Sequence, residues 1–243
     1  LNGEPVTIKG VNRHEEYPRA GRVNHSGILE ADLKLIKEEL GANMVRIHYP
    51  CESGFYDLAD KLGLLVFAEI PFWGITKEAL TNSKVVENAR QQLTDLVRSL
   101  RNHPSVVVWS VGNEVESDTE VARSVISGLI GHVRSMDSTR PITYVTMYIY
   151  DETRWCRCLD LGDFTSFNAY FDVYVDRLNK VFQKIHDENP SRPILMTEFG
   201  AEAILGIHGN VLGSEEHQAE VIEKTWNLIS SKDYVMGGLV WSL

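Results

Sequence analysis

The feature that most constrains this chain is a repeated alternation of short apolar, β-branched runs with longer amphipathic stretches. Each apolar run has the length of a strand, and the amphipathic stretches have the 3.6-residue period of a helix. Strands that alternate with helices form a parallel sheet, because each connection has to cross back over the sheet. The sequence therefore predicts an α/β protein.

The alternation predicts eight strands and six helices. The predicted strands cover residues 6–11, 44–49, 64–70, 106–111, 142–147, 164–169, 194–198 and 238–241. The predicted helices cover residues 29–40, 53–62, 84–100, 119–136, 175–188 and 215–230, and the connection 148–162 is irregular. Eight strands in 243 residues match a (β/α)8 TIM barrel. An open doubly wound sheet is the alternative, but the chain has neither of the usual phosphate-binding motifs, G-x-G-x-x-G or Walker A.

No linker or low-complexity stretch divides the chain, so residues 1–243 are predicted to form a single barrel domain. The last residue, Leu243, directly follows the eighth predicted strand, so we expect the final barrel helix to be lacking. Leu1-Asn2-Gly3 resembles the tip of a hairpin. We therefore expect a piece excised from a longer chain.

Composition and charge exclude several classes of protein. Asp and Glu outnumber Lys and Arg by 34 to 24, a net charge of −10 that argues against a nucleic-acid binder. The apolar runs are far shorter than the roughly 20 residues of a membrane span.

Cys51, Cys156 and Cys158 do not make a disulfide framework, and no signal peptide is visible, so a cytoplasmic location is favoured. No cofactor is expected.

Two glutamates follow predicted strands at the end where barrels build their active sites. The fourth strand leads into Glu114, and the seventh leads into Glu198. Two carboxylates across a barrel mouth suit the cleavage of a glycosidic bond, with one protonated and the other stabilising or attacking the sugar. The alternative is that each glutamate caps the helix that follows it.

Other strand ends carry polar and aromatic side chains, which suit a sugar site because rings stack on sugar faces and polar groups bind hydroxyls. The residues concerned are Asn12, Arg13, His14, Arg46, His48, Tyr49, Glu69, Trp73, Asn168, Tyr170, Tyr174 and Trp241. A competing hypothesis makes His14, His48 and Glu69 zinc ligands, with a catalytic glutamate as base. It has no H-x-H or H-E-x-x-H spacing to support it, so no metal is expected.

Four motifs in order resemble the catalytic barrel of glycoside hydrolase family 2. They are Lys9-Gly10-Val11-Asn12-Arg13-His14-Glu15, Arg46-Ile47-His48-Tyr49-Pro50, Asn102-His103-Pro104-Ser105-Val106 leading to Asn113-Glu114, and Thr197-Glu198-Phe199-Gly200. The resemblance extends over the whole chain. It implies that β-sandwich domains precede the barrel in the longer protein.

The resemblance also implies a retaining, exo-acting β-glycosidase that works by double displacement. By motif match, Glu198 is the expected nucleophile and Glu114 the expected acid/base. Asn113 is expected to bind the sugar 2-hydroxyl. Further substrate-binding residues are expected at His14, Arg46, His48, Asn168, Tyr170, Tyr174 and Trp241.

Within the family, the residues around Glu198 and the run Asn168-Ala169-Tyr170 resemble β-glucuronidases and related hexuronidases. The expected substrates are therefore terminal β-glucuronides or related hexuronides, and a β-galactosidase or β-mannosidase is the alternative. Family glucuronidases carry an Asn-x-Lys element after the eighth strand, and this sequence ends before it. A non-catalytic carbohydrate-binding barrel is the alternative from another class. Any homo-oligomer is expected to form through domains outside this chain.

Overall fold

In the computed structural model, which describes residues 1–17, 21–22 and 26–243, eight parallel strands close into a barrel. We number them β1 (Ile8–Arg13), β2 (Met44–Ile47), β3 (Leu65–Glu69), β4 (Val106–Asn113), β5 (Ile142–Thr146), β6 (Thr165–Asn168), β7 (Ile194–Phe199) and β8 (Val235–Val240). Each strand pairs with its neighbours in chain order, and β1 closes the barrel against β8. The predicted TIM barrel is confirmed.

Helices connect most of the strands and pack around the barrel. They are α1 (Ser26–Lys34), which continues as a π-helical turn over Leu35–Glu39, α2 (Ser53–Leu62), α3 (Lys77–Leu80), α4 (Ser83–Leu100), α5 (Glu120–Met136), α6 (Val175–Glu188) and α7 (Glu215–Ser230). The short helix α3 and a two-stranded antiparallel pair, Glu16–Tyr17 with Gly21–Arg22, were not predicted from the sequence. No helix in the described ranges is both long and apolar enough to cross a membrane.

The predicted strand ends were wrong by up to three residues. Strand β8 begins at Val235 rather than at residue 238, and β4 continues to Asn113 rather than ending at residue 111. Gly237 hides the start of β8 and the polar Asn113 hides the end of β4, because each interrupts the apolar pattern on which the prediction depended.

Barrel closure depends on a glycine. Gly237 of β8 pairs with Ile8 of β1 and has a φ of +141°, which side chains other than glycine rarely adopt. A Cβ at this position would lie 1.9 Å from the Ile8 carbonyl oxygen. The two backbones can approach this closely only where no side chain stands between them.

The barrel interior is layered along the strands. A small apolar cluster fills the end where the strands begin, and its members are Ile8, Met44, Leu65, Phe67, Val108, Val145, Phe164, Leu195 and Leu239. Towards the carboxyl ends the buried side chains become polar. Because alternate strand residues point inward, this change of layer places the polar groups together at the barrel mouth.

The β5–β6 connection has no helix of its own, only a 3-10 turn over Glu152–Arg154. It packs instead on the loop that follows β4. Arg154 forms ion pairs at 2.8 Å with both Glu116 and Asp118, and the Cys158 Sγ lies 3.9 Å from the Ser117 carbonyl oxygen. The irregular connection therefore helps to hold the segment just beyond Glu114.

Candidate active site

A layer of buried polar side chains lies at the carboxyl ends of the strands. Its members are Asn12, Arg46, His48, Glu69, Ser110, Asn113, Asn168, Thr197 and Glu198. They come from six of the eight strands or the residues next to them. Buried polar groups are costly unless they are paired, and hydrogen bonds connect these side chains with one another.

Of the two glutamates singled out from the sequence, Glu198 belongs to this layer and Glu114 adjoins it. Glu198 is buried in β7, and the partly buried Glu114 directly follows β4 with a φ of +51°. The alternative that they cap helices is wrong, because Thr119 caps α5 and Ser214 caps α7 through their hydroxyl oxygens. Both glutamates are therefore free of a helix-capping role.

Arg46 is the centre of the network and has no solvent exposure. Its Nη1 donates to Asn12 Oδ1 at 2.8 Å and to Glu198 Oε1 at 2.7 Å. Its Nη2 donates to Glu69 Oε1 at 2.8 Å and to Asn113 Oδ1 at 2.9 Å. Although burial opposes the charge, Glu69 and Glu198 raise the pKa of Arg46 above its ordinary value.

Glu198 is held from two directions. Besides Arg46 at Oε1, the Tyr170 hydroxyl donates to Oε2 at 2.7 Å. Burial and the negative charge of Glu198 raise the pKa of Tyr170, so the phenol keeps its proton and remains a donor. Both carboxylate oxygens therefore accept hydrogen bonds in a fixed orientation.

Glu114 has a different environment. Burial raises the pKa of Glu114 and the charge of Glu198 raises it further, while a 2.8 Å hydrogen bond from Asn168 Nδ2 opposes the shift. A carboxyl group with a raised pKa keeps its proton to higher pH. The arrangement thus combines a carboxylate held by two donors with a second carboxyl group suited to donating a proton.

The amides of Asn113 and Asn168 are oriented by their partners. Asn113 Oδ1 accepts from Arg46 and, at 3.0 Å, from Asn168 Nδ2, while Asn168 Oδ1 accepts from the Thr197 hydroxyl at 2.8 Å. The Asn113 amide nitrogen donates to no side chain or carbonyl among the described residues. It is therefore available to donate a hydrogen bond.

Aromatic rings line the mouth beside the network. His14 packs edge-on against Trp241 with ring centroids 4.8 Å apart, and it stacks on His48 at 6.0 Å. Tyr49 lies 4.9 Å from His48, and the half-exposed Trp73 lies 6.3 Å from it. Burial lowers the pKa of His14.

The structure brings together most of the predicted substrate-binding residues. Arg46, His48, Asn113, Asn168 and Tyr170 join the hydrogen-bonded network, and His14 and Trp241 join it through ring contacts. Tyr174 does not join. The residue is 58% exposed and its ring lies beneath Arg177, with no side-chain hydrogen bond to the glutamates in the described part of the chain.

The zinc hypothesis receives no geometric support. Within residues 1–17, 21–22 and 26–243, His14, His48 and Glu69 do not bring three ligand atoms within 4.8 Å of one another. Glu69 Oε1 instead lies 2.6 Å from His48 Nδ1, and Glu69 Oε2 accepts from the Ser110 hydroxyl at 2.5 Å.

Two residues of the site escaped sequence analysis. Ser110 reaches Glu69 from β4, and the Tyr150 hydroxyl accepts from the Tyr170 backbone N–H at 2.8 Å, which steadies the residue that holds Glu198. Inward alternation along β4 was a usable signal for Ser110. Tyr150 lies in the irregular β5–β6 connection, where no periodicity marks a residue.

Comparisons with known proteins agree with the barrel fold described above. The family model described as "Glycosyl hydrolases family 2, TIM barrel domain" matches residues 1–241. The chain is 34% identical over 260 residues to a β-glucuronidase of Mus musculus, covering all of this chain and 39% of that protein. It is 31% identical over 262 residues to a β-glucuronidase of Paenibacillus borealis, covering all of this chain and 43% of that protein.

Two solved structures also superpose closely on the chain. A GH2 β-galacturonidase from Eisenbergiella tayi bound to galacturonate superposes with a TM-score of 0.92 at 31% identity, over all of this chain and 44% of that one. A β-D-glucuronidase from Dictyoglomus thermophilum gives a TM-score of 0.90 at 29% identity, over 99% of this chain and 44% of that one. The chain thus spans about two fifths of the length of the relatives it matches. The presence of β-sandwich domains ahead of the barrel stays a prediction.

Proposed function

The chain belongs to glycosyl hydrolase family 2, and on that premise we propose that it is the catalytic barrel of a retaining exo-β-glycosidase acting on terminal β-hexuronides. The observation that carries this proposal is the contrast between its two carboxyl groups. Glu198 is oriented by Arg46 and Tyr170, whereas burial raises the pKa of Glu114. Such a pair suits nucleophile and acid/base.

In the first half-reaction, Glu198 attacks the anomeric carbon of the sugar. Glu114 gives its proton to the glycosidic oxygen, so the bond to the leaving group breaks as the glycosyl–enzyme ester forms. In the second half-reaction, the Glu114 carboxylate takes a proton from water, which attacks the same carbon and releases Glu198. The retaining pathway requires the two carboxyl groups to lie about 5–5.5 Å apart.

The other residues of the mouth bind the sugar in this proposal. Asn113 faces its amide nitrogen to the 2-hydroxyl, and His14, His48 and Trp241 form a wall against the ring. Asn168 orients Glu114 through the hydrogen bond from its amide nitrogen. Aromatic rings beside fixed hydrogen-bonding groups are the usual lining of a sugar site. Tyr174 is assigned no direct part.

The choice of hexuronides is supported by the relatives rather than by a contact in the site. The similar curated proteins are β-glucuronidases, and the similar structures include a β-galacturonidase bound to galacturonate. Glucuronides and galacturonides both carry a carboxylate at C5 and differ in one hydroxyl configuration, so both belong to the proposed class.

The proposal is tested by trapping the glycosyl–enzyme. The chain is incubated with activated 2-deoxy-2-fluoro β-glycosides carrying glucuronate, galacturonate, galactose, glucose or mannose, and adducts are located by intact mass and peptide mapping. We expect one adduct, on Glu198, with a uronide. An adduct with galactose or mannose alone would overturn the uronide assignment, and an adduct on another residue would overturn the nucleophile.

Two variants provide the matched comparison. Glu198→Gln should form no adduct and lose turnover of an aryl uronide. Glu202→Gln changes an exposed carboxylate four residues further along, in the loop that follows β7, and should behave as the unchanged protein. Saturable sugar binding without an adduct or turnover would instead support a non-catalytic barrel.

A further inference from the structure

The barrel mouth contains a third carboxylate, which is fully buried and which the double displacement does not use. Glu69 lies at the end of β3 and has no solvent exposure. It lies 2.8 Å from Arg46 Nη2, 2.6 Å from His48 Nδ1 and 2.5 Å from Ser110 Oγ. A carboxylate is costly to bury, and three partners around one such group indicate that the site is built to stabilise its negative charge.

Glu69 is ionised in this environment. Burial by itself raises the pKa of a carboxyl group, but the charge of Arg46 and the hydrogen bond with His48 lower the pKa of Glu69 below its ordinary value. An ionised carboxylate can only accept hydrogen bonds. Arg46, His48 and Ser110 are therefore all donors to Glu69.

The position of Arg46 creates an electrostatic conflict. Its guanidinium holds Glu198 at 2.7 Å, next to the place where the sugar must develop positive charge. An unbalanced guanidinium there opposes that charge. Glu69 pairs with the other nitrogen of the same guanidinium, at 2.8 Å. The two terminal nitrogens of Arg46 thus donate to one glutamate each, Nη1 to Glu198 and Nη2 to Glu69.

We propose that Glu69 is a positioning residue for the double displacement, because its carboxylate neutralises the guanidinium that orients the nucleophile. Arg46 can then fix Glu198 without opposing the cationic transition state. The inference rests on the proposed function. It goes beyond that function because it assigns an electrostatic task to a carboxylate that neither attacks the sugar nor transfers a proton in the proposed steps.

The charge balance also reaches the acid/base. Arg46 and His48 both act to lower the pKa of Glu114, while Glu198 acts to raise it. His14, which follows β1, also interacts electrostatically with His48, Glu198 and Arg46. Removing the negative charge of Glu69 leaves the positive charge of Arg46 less neutralised. The pKa of Glu114 must then fall, and with it the pH at which the acid loses its proton.

The test is Glu69→Gln. The amide keeps the size of the side chain, and its oxygen can still accept from Arg46 and His48, so the main change is the loss of charge. With the uronide that labels the unchanged protein, we expect adduct formation to slow about 10- to 100-fold, similar to the loss when a hydrogen-bonding partner behind a metal ligand is removed. The descending alkaline limb of kcat/KM should move to lower pH, and KM should change less than kcat.

Two further variants test whether the charge at position 69 is responsible. Glu69→Asp keeps the charge and should recover part of the rate and of the pH profile. Glu202→Gln removes the charge of an exposed carboxylate in the loop after β7 and should leave both nearly unchanged. The proposal is overturned if Glu69→Gln folds with an unchanged melting temperature and also keeps the rate and alkaline limb of the unchanged protein. It is equally overturned if Glu202→Gln matches Glu69→Gln.

A readout without substrate separates this inference from the proposed function. The Glu114 carboxyl signal, assigned by its loss in Glu114→Gln, is titrated by 13C NMR in the unchanged protein and in Glu69→Gln. A lower Glu114 pKa in the variant supports the charge balance, and an identical pKa refutes it. If no glycoside in the panel reacts while this pKa falls, the proposed function fails and the electrostatic role of Glu69 stands.

Discussion

The Arg46 guanidinium donates to the Glu198 carboxylate at 2.7 Å across the inside of the barrel, and both side chains are almost completely excluded from solvent. The two residues are 152 positions apart in the sequence and come from β2 and β7. A charge-assisted hydrogen bond of this kind fixes direction as well as charge. Arg46 orients the Glu198 carboxylate from within the barrel, while Tyr170 orients the same carboxylate from the mouth.

Replacing Tyr170 by Phe removes the second donor to Glu198 and leaves the ring in place. Since that hydroxyl lies 2.7 Å from Oε2, we expect kcat for an aryl uronide to fall by about 10- to 100-fold, a loss approaching that of an oriented donor in an active site. The melting temperature should change little. Tyr174→Phe is the control, because its exposed hydroxyl holds neither carboxylate, and a comparable loss there would contradict the assignment.

Glu114→Ala tests the acid/base through the leaving group. Substrates with poor leaving groups need the proton and should be slowed far more than activated dinitrophenyl glycosides, which leave without one. Azide should restore turnover of the activated substrates, because it occupies the space of the carboxylate and needs no base. Equal losses on both classes of substrate, measured as kcat/KM, would show that Glu114 is not the acid.

The alkaline limb of the pH profile should follow Asn168. Glu114 must be protonated to donate, so activity falls as the pH rises through the pKa of Glu114. The Asn168 hydrogen bond stabilises the ionised form and lowers that pKa, so Asn168→Ala should move the limb to higher pH while reducing kcat.

Thr197→Val offers a graded comparison for this shift. It removes the hydroxyl that orients the Asn168 amide but keeps the shape of the side chain. We expect a shift in the same direction and of smaller size. A limb that moves to lower pH in either variant would be inconsistent with the assigned hydrogen bond.

Gly237→Ala should destabilise the barrel. Its Cβ would meet the Ile8 carbonyl oxygen at 1.9 Å, and the φ of +141° is unsuited to alanine, so we expect a loss of more than about 3 kcal/mol of unfolding free energy. Thermal or urea unfolding measures it. Gly128→Ala in α5 is the control, since nothing lies within 4 Å of its added Cβ. It should be neutral or stabilising by up to about 1 kcal/mol.

Periodicity and strand-end chemistry were sufficient to predict the barrel and to single out Glu114 and Glu198. Both signals are local, because a strand and its following turn are specified by neighbouring residues. The bounds of α2, α6 and α7 were predicted correctly for the same reason. Local signals failed where glycines or polar residues interrupt a strand, as in β4 and β8, and for the short helix α3.

Only the tertiary structure decided which side chains meet. Glu69 was weighed from the sequence as a metal ligand, but closure of the barrel places it on the same guanidinium as Glu198. Tyr174 was predicted to bind substrate, yet its ring lies outside the network. The opposite environments of Glu114 and Glu198 also arise here. Burial and charge depend on residues brought together from distant strands, and a local sequence pattern does not show which of these residues will meet.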